Sequence, residues 1–215
     1  MSGYFITFEG GEGAGKTTQI SLLAQYLCSK GYDVVTTREP GGTAGAEAIR
    51  HILLSGQAQR YGSLVEAVLF TAARVDHVTE VIAPSLQKGK VVLCDRFIDS
   101  TRVYQGLNGM VTPCTLSVLE CIAVNGIMPN LTFLLDISAA CGMKRANLRR
   151  KKADIIDYFE KSELEIQEQR RQAFLQLAKQ EPHRFRVIDA TQAVEVISHQ
   201  IKDICHQVML DHINE

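Results

Sequence analysis

The chain of 215 residues is 46% hydrophobic and 22% charged, with a formal net charge of -1. That length suits one packed domain, so residues 1–215 are read as a single domain. The composition excludes a disordered chain, and the near-neutral total excludes a broadly basic body for binding nucleic acid. No eighteen apolar residues run together, and no basic region precedes an apolar N-terminal stretch. Neither a membrane segment nor a leader is therefore expected, and the cytoplasm is the expected location. The six cysteines form no C-x-x-C pair, and reduced, buried thiols are the expectation.

In chain order, the first strand signal is Tyr4 to Glu9, rich in β-branched and aromatic residues. Gly10, Gly11, Glu12, Gly13, Ala14, Gly15, Lys16 and Thr17 follow, fitting G-x-x-x-x-G-K-[ST] in full, ahead of a helical pattern over Thr17 to Lys30. Glycines without Cβ atoms let successive backbone N–H groups curl around phosphates, and the positive end of the following helix adds to the attraction. Lys16 would bridge the outer phosphates, and the Thr17 hydroxyl would ligate Mg²⁺. The motif specifies ATP or GTP use. The N-K-x-D and D-x-x-G patterns of a GTPase are absent, and 215 residues are few for a motor, so a small-molecule kinase leads.

Further strand signals at Asp33 to Thr37, Lys90 to Cys94, Leu131 to Asp136 and Phe185 to Ile188 alternate with helical patterns at Thr43 to Leu54, Ser63 to Gln87 and Thr112 to Asn125. This predicts an α/β fold of the P-loop NTPase kind: a five-stranded parallel sheet with helices on both faces and ligands at the carboxyl ends of the strands. Arg38 after the second strand and Arg96 after the third could clamp an acceptor phosphate bidentately, the alternative being surface salt bridges. Asp95, ending an apolar strand, is placed to reach Mg²⁺ directly or through water. Glu66, Phe70 and Arg74, spaced by four, share a helix face. A ring beside a guanidinium can stack and hydrogen-bond a base, although a core Phe beside a surface Arg has the same spacing. The basic run Lys144 to Lys152, ahead of a mixed-charge helix from about Asp157 to Gln180, reads as a flap or as a solvated face. His199 and His206, seven apart, lack the close pairing of a structural zinc site and are expected at the surface or an interface.

Five motifs in order resemble the thymidylate kinase family over nearly the whole chain: Phe8-Glu9-Gly10 through Thr18; Thr37-Arg38-Glu39-Pro40-Gly41-Gly42-Thr43; Phe70-Thr71-Ala72-Ala73-Arg74; Asp95-Arg96-Phe97 with Ser100-Thr101 and Tyr104-Gln105-Gly106; and Asp189-Ala190-Thr191. The R-E-P-G-G-T and D-R-x-x-x-S-x-x-x-Y-Q-G pieces are far more specific than the phosphate loop. The resemblance implies phosphorylation of dTMP to dTDP with Mg-ATP, on the route to dTTP; a related kinase for another nucleotide or deoxynucleoside is the alternative. It implies that Phe70 stacks on thymine, Arg74 bonds its exocyclic oxygen, and Thr101 lies near the base edge. Tyr104 would crowd the sugar C2 position, Arg38 and Arg96 would hold the dTMP phosphate, and Glu9 and Glu12 would approach the sugar or the metal. Ser100 and Gln105 complete the implied dTMP site. Residues Gly10 to Thr18 hold ATP, with Arg145 and the stretch Asp189 to Gln192 bordering adenine. Glu39-Pro40 is a candidate cis peptide.

Catalysis is expected from Lys16, Arg96 and a cation from a lid at about Arg145 to Tyr158. The phosphate loop has Glu12 where one pattern of the family has an arginine, so Arg149 and Arg150 are the candidate fingers. Two departures stand out: Tyr158 where many relatives have arginine, and Val103 where a small residue is common, which is expected to narrow the sugar pocket. The resemblance also implies a homodimer through helices, for which Val65, Leu69 and Ala72, opposite Phe70, are a candidate stripe; core packing explains them equally well.

Overall fold

The structure of the protein, a computed structural model, describes residues 3–107, 111–149 and 164–214. Among them, strands β1 (Tyr4–Glu9), β2 (Val34–Arg38), β3 (Val91–Asp95), β4 (Leu131–Asp136) and β5 (Phe185–Asp189) form one parallel sheet in the order β2-β3-β1-β4-β5. The second, third and fifth strands end one residue later than the sequence pattern suggests. Arg38 and Asp95 are thereby strand residues, and the last ladder positions pair Arg38 with Asp95 and Asp95 with Phe8. Register alone sets a cation and a carboxylate level at the carboxyl edge of the sheet.

Central β1 is buried along its whole length, as a parallel strand covered on both faces must be. Ile6 and Phe8 point into a core with Leu23 and Leu27 of α1 (Lys16–Ser29) and Ile197 and Ile201 of α9 (Val194–Asn214). Phe5 points the other way, against Val78, Ile82 and Phe97. Each fully buried Phe or Leu contributes roughly 1.5–3 kcal/mol. Two polar residues in this interior, Thr7 and Thr132, are register partners and share a hydrogen bond of 2.8 Å between their hydroxyls, which removes the cost of burying either alone.

The remaining helices are α2 (Ala44–Leu54), α3 (Ser63–His77), α4 (Ala83–Gln87), α5 (Ile98–Tyr104), α6 (Pro113–Val124), α7 (Ala139–Arg149) and α8 (Leu164–Gln180). The single helix expected over Ser63 to Gln87 is thus two, joined by a π-helical turn at Val78–Ile82. Pro84 is the cause: it has no N–H to offer the carbonyl four residues back, and the widened turn just upstream absorbs the mismatch. Helix α6 begins on Thr112, whose hydroxyl accepts from Thr115 N at 3.2 Å, and stops at left-handed Asn125. Residues 157–163 of the expected mixed-charge helix lie outside the described residues.

All six cysteines are free, but only Cys94 and Cys205 are buried; Cys28, Cys114, Cys121 and Cys141 are exposed. This corrects the expectation of buried thiols, because the helices carrying those four bury one face only. His199 and His206 are on the surface as expected.

Candidate active site

β1 delivers the chain to the middle of the carboxyl edge, where Gly10 to Gly15 turn it into α1. Gly13 has φ 69°, and a Cβ there would collide with the carbonyl of Gly142 on α7; a Cβ on Gly142 would collide with the carbonyl of Glu12. Loop and helix therefore lie backbone against backbone. That accounts for a glycine inside α7, where it costs about 1 kcal/mol relative to alanine. Lys16 Nζ donates to the carbonyls of Gly10 (3.1 Å) and Gly11 (3.0 Å). Burial, and then the neighbouring Arg96 charge, push its amine down to about 8. A polyphosphate bound beside it would favour the charged form again by supplying negative charge.

Thr17 Oγ1 donates to Asp95 Oδ2 at 2.9 Å, placing a hydroxyl and a carboxylate side by side at the start of α1. No group of three His, Cys, Asp or Glu capable of holding a metal ion occurs among the described residues. Two oxygen ligands beside a phosphate site fit Mg²⁺, which keeps waters and takes one or two protein oxygens with phosphates; they do not fit a zinc cage.

In front of the loop lies a cavity of about 330 Å³, within the range of small-ligand sites. Its wall contains Glu12, Gly13, Gly15, Lys16, Thr17 and Asp95 together with Arg38, Phe70, Arg74, Arg96, Ser100, Thr101, Tyr104 and Gln105. Arg74 is only 3% exposed. Its Nε donates to Glu39 Oε2 at 2.6 Å, and its Nη2 donates to Phe97 O at 3.1 Å and Thr101 Oγ1 at 3.0 Å. The spacing of four thus resolves against a core Phe beside a surface Arg: the arginine is buried and Phe70 faces the cavity.

Arg96 adopts φ 70°, a left-handed conformation that costs a non-glycine residue about 1–3 kcal/mol and turns the chain sharply after Asp95. Its Nη1 donates to Ser100 Oγ at 3.1 Å, and its guanidinium lies 5.3 Å from the Tyr104 ring centre. Burial opposes the Arg96 charge, but Tyr104 and the carboxylates of Glu9 and Asp95 outweigh it and hold the group above its ordinary value. Arg38 is more exposed and donates to Glu47 at 2.8 Å. A screened pair of that kind is worth about 0–1 kcal/mol, so a phosphate can displace the carboxylate.

Glu9 does not line the cavity. It is fully buried, with Oε1 accepting from Phe97 N (2.8 Å) and Ser100 N (3.3 Å) and Oε2 from Ser100 Oγ (2.7 Å). Burial first, and the Asp99 charge second, push its carboxyl up to about 7. The expectation of direct contact with sugar or metal is corrected accordingly: Glu9 shapes the turn that carries Arg96 and Ser100, from behind the wall. Val103 likewise packs inward with Leu134 and Phe174 and narrows no sugar pocket.

Gly10, Gly11, Ala14 and Thr18 belong to the loop and the first turn of α1 without lining the cavity. Arg145 lies elsewhere, donating to Ala190 O (2.7 Å) and Thr191 O (3.2 Å). The side chain of Arg149, Arg150 and the rest of the lid to Tyr158 lie outside the described residues. The cavity wall also holds Glu39, Pro40, Arg50, Leu54, Phe97 and Gln167, to which the sequence assigns no site role, although Phe97 lies in the motif with Asp95 and Arg96. The R-E-P-G-G-T motif already contained the first two, and the Glu39–Pro40 bond is cis. Arg50 and Leu54, four apart on α2, carried a weak signal, and Arg50 donates to Pro40 O at 2.6 Å. Gln167 had none, because it reaches the cavity from α8, far along the chain.

The protein-family model for thymidylate kinase matches residues 8–201. A thymidylate kinase of Bartonella quintana is 81% identical over 213 residues, covering 99% of this chain and 100% of the relative. One from Bartonella henselae is 79% identical over 214 residues with the same coverage. Among solved structures, the thymidylate kinase of Ehrlichia chaffeensis superposes with a TM-score of 0.75 at 34% identity, covering 96% of this chain and 99% of that one.

Proposed function

Because the chain belongs to the thymidylate kinase family, we propose that the cavity holds dTMP while the glycine loop holds the phosphates of ATP. The reaction transfers the γ-phosphoryl group of ATP to dTMP: an oxygen of the dTMP phosphate attacks the γ-phosphorus, the bond to the β-phosphate oxygen breaks, and dTDP and ADP leave. Such a transfer needs in-line alignment and cations around the moving group more than covalent help. One observation carries the acceptor assignment: Arg74, buried and held by three acceptors, shares the cavity wall with Phe70. Phe70 stacks on thymine and Arg74, which can only donate, selects a carbonyl oxygen at the base edge beside Thr101.

Arg38 and Arg96 grip the acceptor phosphate, Ser100 and Gln105 border it and the sugar, and Tyr104 covers the sugar face. Lys16 bridges the outer phosphates of ATP. Thr17 and Asp95, with Glu12 on the same cavity wall, would hold Mg²⁺, which when bound would supply charge neutralisation for the phosphates. Arg145 and residues 189–192 form the adenine border, and lid residues Arg149 and Arg150 deliver the finger charge.

A coupled ADP-release assay with Mg-ATP and dTMP, dUMP, UMP, dCMP, dGMP and AMP tests the acceptor assignment. The expected result is dTMP preferred by at least about tenfold, or roughly 1.4 kcal/mol. A flat profile sinks the reading of Phe70 and Arg74.

The chain forms a homodimer in this proposal. Leu64, Val65, Val68 and Val75 on α3 are exposed, as are Val118 and Ile122 on α6, against which α3 packs. Apolar side chains projecting from two packed helices suit a second copy of the same surface. Light scattering should give twice the chain mass, and Val68→Glu with Ile122→Glu should give the single mass; a monomeric parent defeats the assignment. No helix among the described residues is long and apolar enough to cross a membrane, and the cytoplasm is the proposed location.

A further inference from the structure

Glu39 is 5% exposed and accepts on both oxygens: Arg74 Nε on Oε2 at 2.6 Å and His77 Nδ1 on Oε1 at 3.0 Å. His77 is completely buried, and its Nε2 meets Thr37 Oγ1 at 2.6 Å. The four side chains make one closed line, Thr37–His77–Glu39–Arg74, and Gly42 seals it, since a Cβ there would stand 2.6 Å from Thr37 Oγ1 and 2.7 Å from His77 Nε2. A carboxylate only accepts, so the contact with Glu39 puts a proton on Nδ1 of His77.

Arg74 has its Nε and Nη2 committed to the protein, and Nη1 is bonded to none of the described residues. The Nε bond to Glu39, the shortest of the three, and the two Nη2 bonds together fix the guanidinium plane and so where Nη1 points. Glu39 follows β2 with its neighbour Arg38 on the phosphate side of the cavity. Without His77, one oxygen of a buried carboxylate loses its donor, and the group is free to rotate away from Arg74.

We propose that His77 is a positioning residue for acceptor selection, acting through Glu39 to aim Arg74 at the carbonyl edge of the base. This rests on the assignment of Arg74 to the base edge. An arginine aimed in this way donates to the exocyclic oxygen of thymine and meets only a hydrogen-bond donor in the exocyclic amine of cytosine. The pair dTMP and dCMP therefore reads its orientation.

Two substitutions separate the two arms of His77. The amide nitrogen of asparagine stands about as far from Cα as imidazole Nδ1, and that of glutamine about as far as Nε2. His77→Asn keeps the donor to Glu39 and loses Thr37; His77→Gln keeps Thr37 and loses Glu39. Each loses one buried hydrogen bond, so a purely structural role predicts the same kinetics for both. The expected result is a KM for dTMP raised at least tenfold in His77→Gln, a preference for dTMP over dCMP reduced at least tenfold, and a KM for ATP within twofold of the parent. His77→Asn should stay within threefold of the parent on all three. Equal kinetics in the two variants, or an unchanged KM for dTMP in His77→Gln, overturns the proposal. Arg74→Gln run alongside distinguishes the failures. If it leaves the dTMP:dCMP preference intact, the assignment of Arg74 is wrong; if it abolishes that preference while His77→Gln does not, only the role of His77 is.

Discussion

Lys16→Met is expected to lower kcat by about 10³-fold, which corresponds to about 4 kcal/mol of transition-state stabilisation, in a protein that still folds. Lys16 is the buried cation of the phosphate loop, 8% exposed, and it donates to two loop carbonyls that cannot neutralise its charge. Methionine keeps the length and apolar stem and removes the charge. The same substitution changes the pH dependence of stability in a direction that can be worked out. Burial lowers the folded pKa of Lys16 to about 8 from its ordinary value of 10.5. Between those two values the unfolded chain binds more protons than the folded one, so the parent gains stability as pH rises from about 8 to 10.5. Thermal melts across that window should rise for the parent relative to the variant. Turnover within tenfold of the parent would remove Lys16 from the chemistry, and parallel melting curves would remove the charge-burial account.

The double substitution Arg149→Ala with Arg150→Ala should lower kcat by about 10³-fold and leave KM for dTMP within about threefold, the pattern of an interaction made only in the transition state. The loop supplies Glu12 rather than an arginine. Arg145, at the start of the basic run, donates to the carbonyls of Ala190 and Thr191. Arg149 and Arg150, further along the basic run, are therefore the candidates for a finger that joins Lys16 and Arg96 at the moving phosphoryl group. Helix α7 is tied to the phosphate loop at Gly142 against Gly13, which fixes the helix relative to the loop. Single-turnover kinetics separate the step from product release. Near-parent turnover in the double variant would place the finger elsewhere.

Much of the site was legible along the chain because its pieces are contiguous. The phosphate loop needs eight successive residues between a strand and a helix, and each strand end carries its own motif, so Arg38 and the Asp95-Arg96 pair were visible before any fold was known. The spacing of Phe70 and Arg74 said that they share a face but not which of the two is buried. Burial of Arg74 is decided by Glu39, Phe97 and Thr101, from two other parts of the chain. Glu9 shows the converse. Its motif is plain in the sequence, yet the alternation of β1 turns the side chain toward the backbone after β3 and away from the cavity.

By itself, then, the sequence determined the α/β class, the parallel strands, the phosphate loop and the family, because those rest on local periodicity and on motifs read in order. Only the tertiary structure decided which groups meet. His77, which no motif singled out, is joined to Glu39 and Thr37 across about forty residues of chain, and Gln167 reaches the cavity from α8. The physical reason is the same in each case: a hydrogen bond or a cavity wall depends on distance in space, and distance in space is set by the register and packing of the whole sheet.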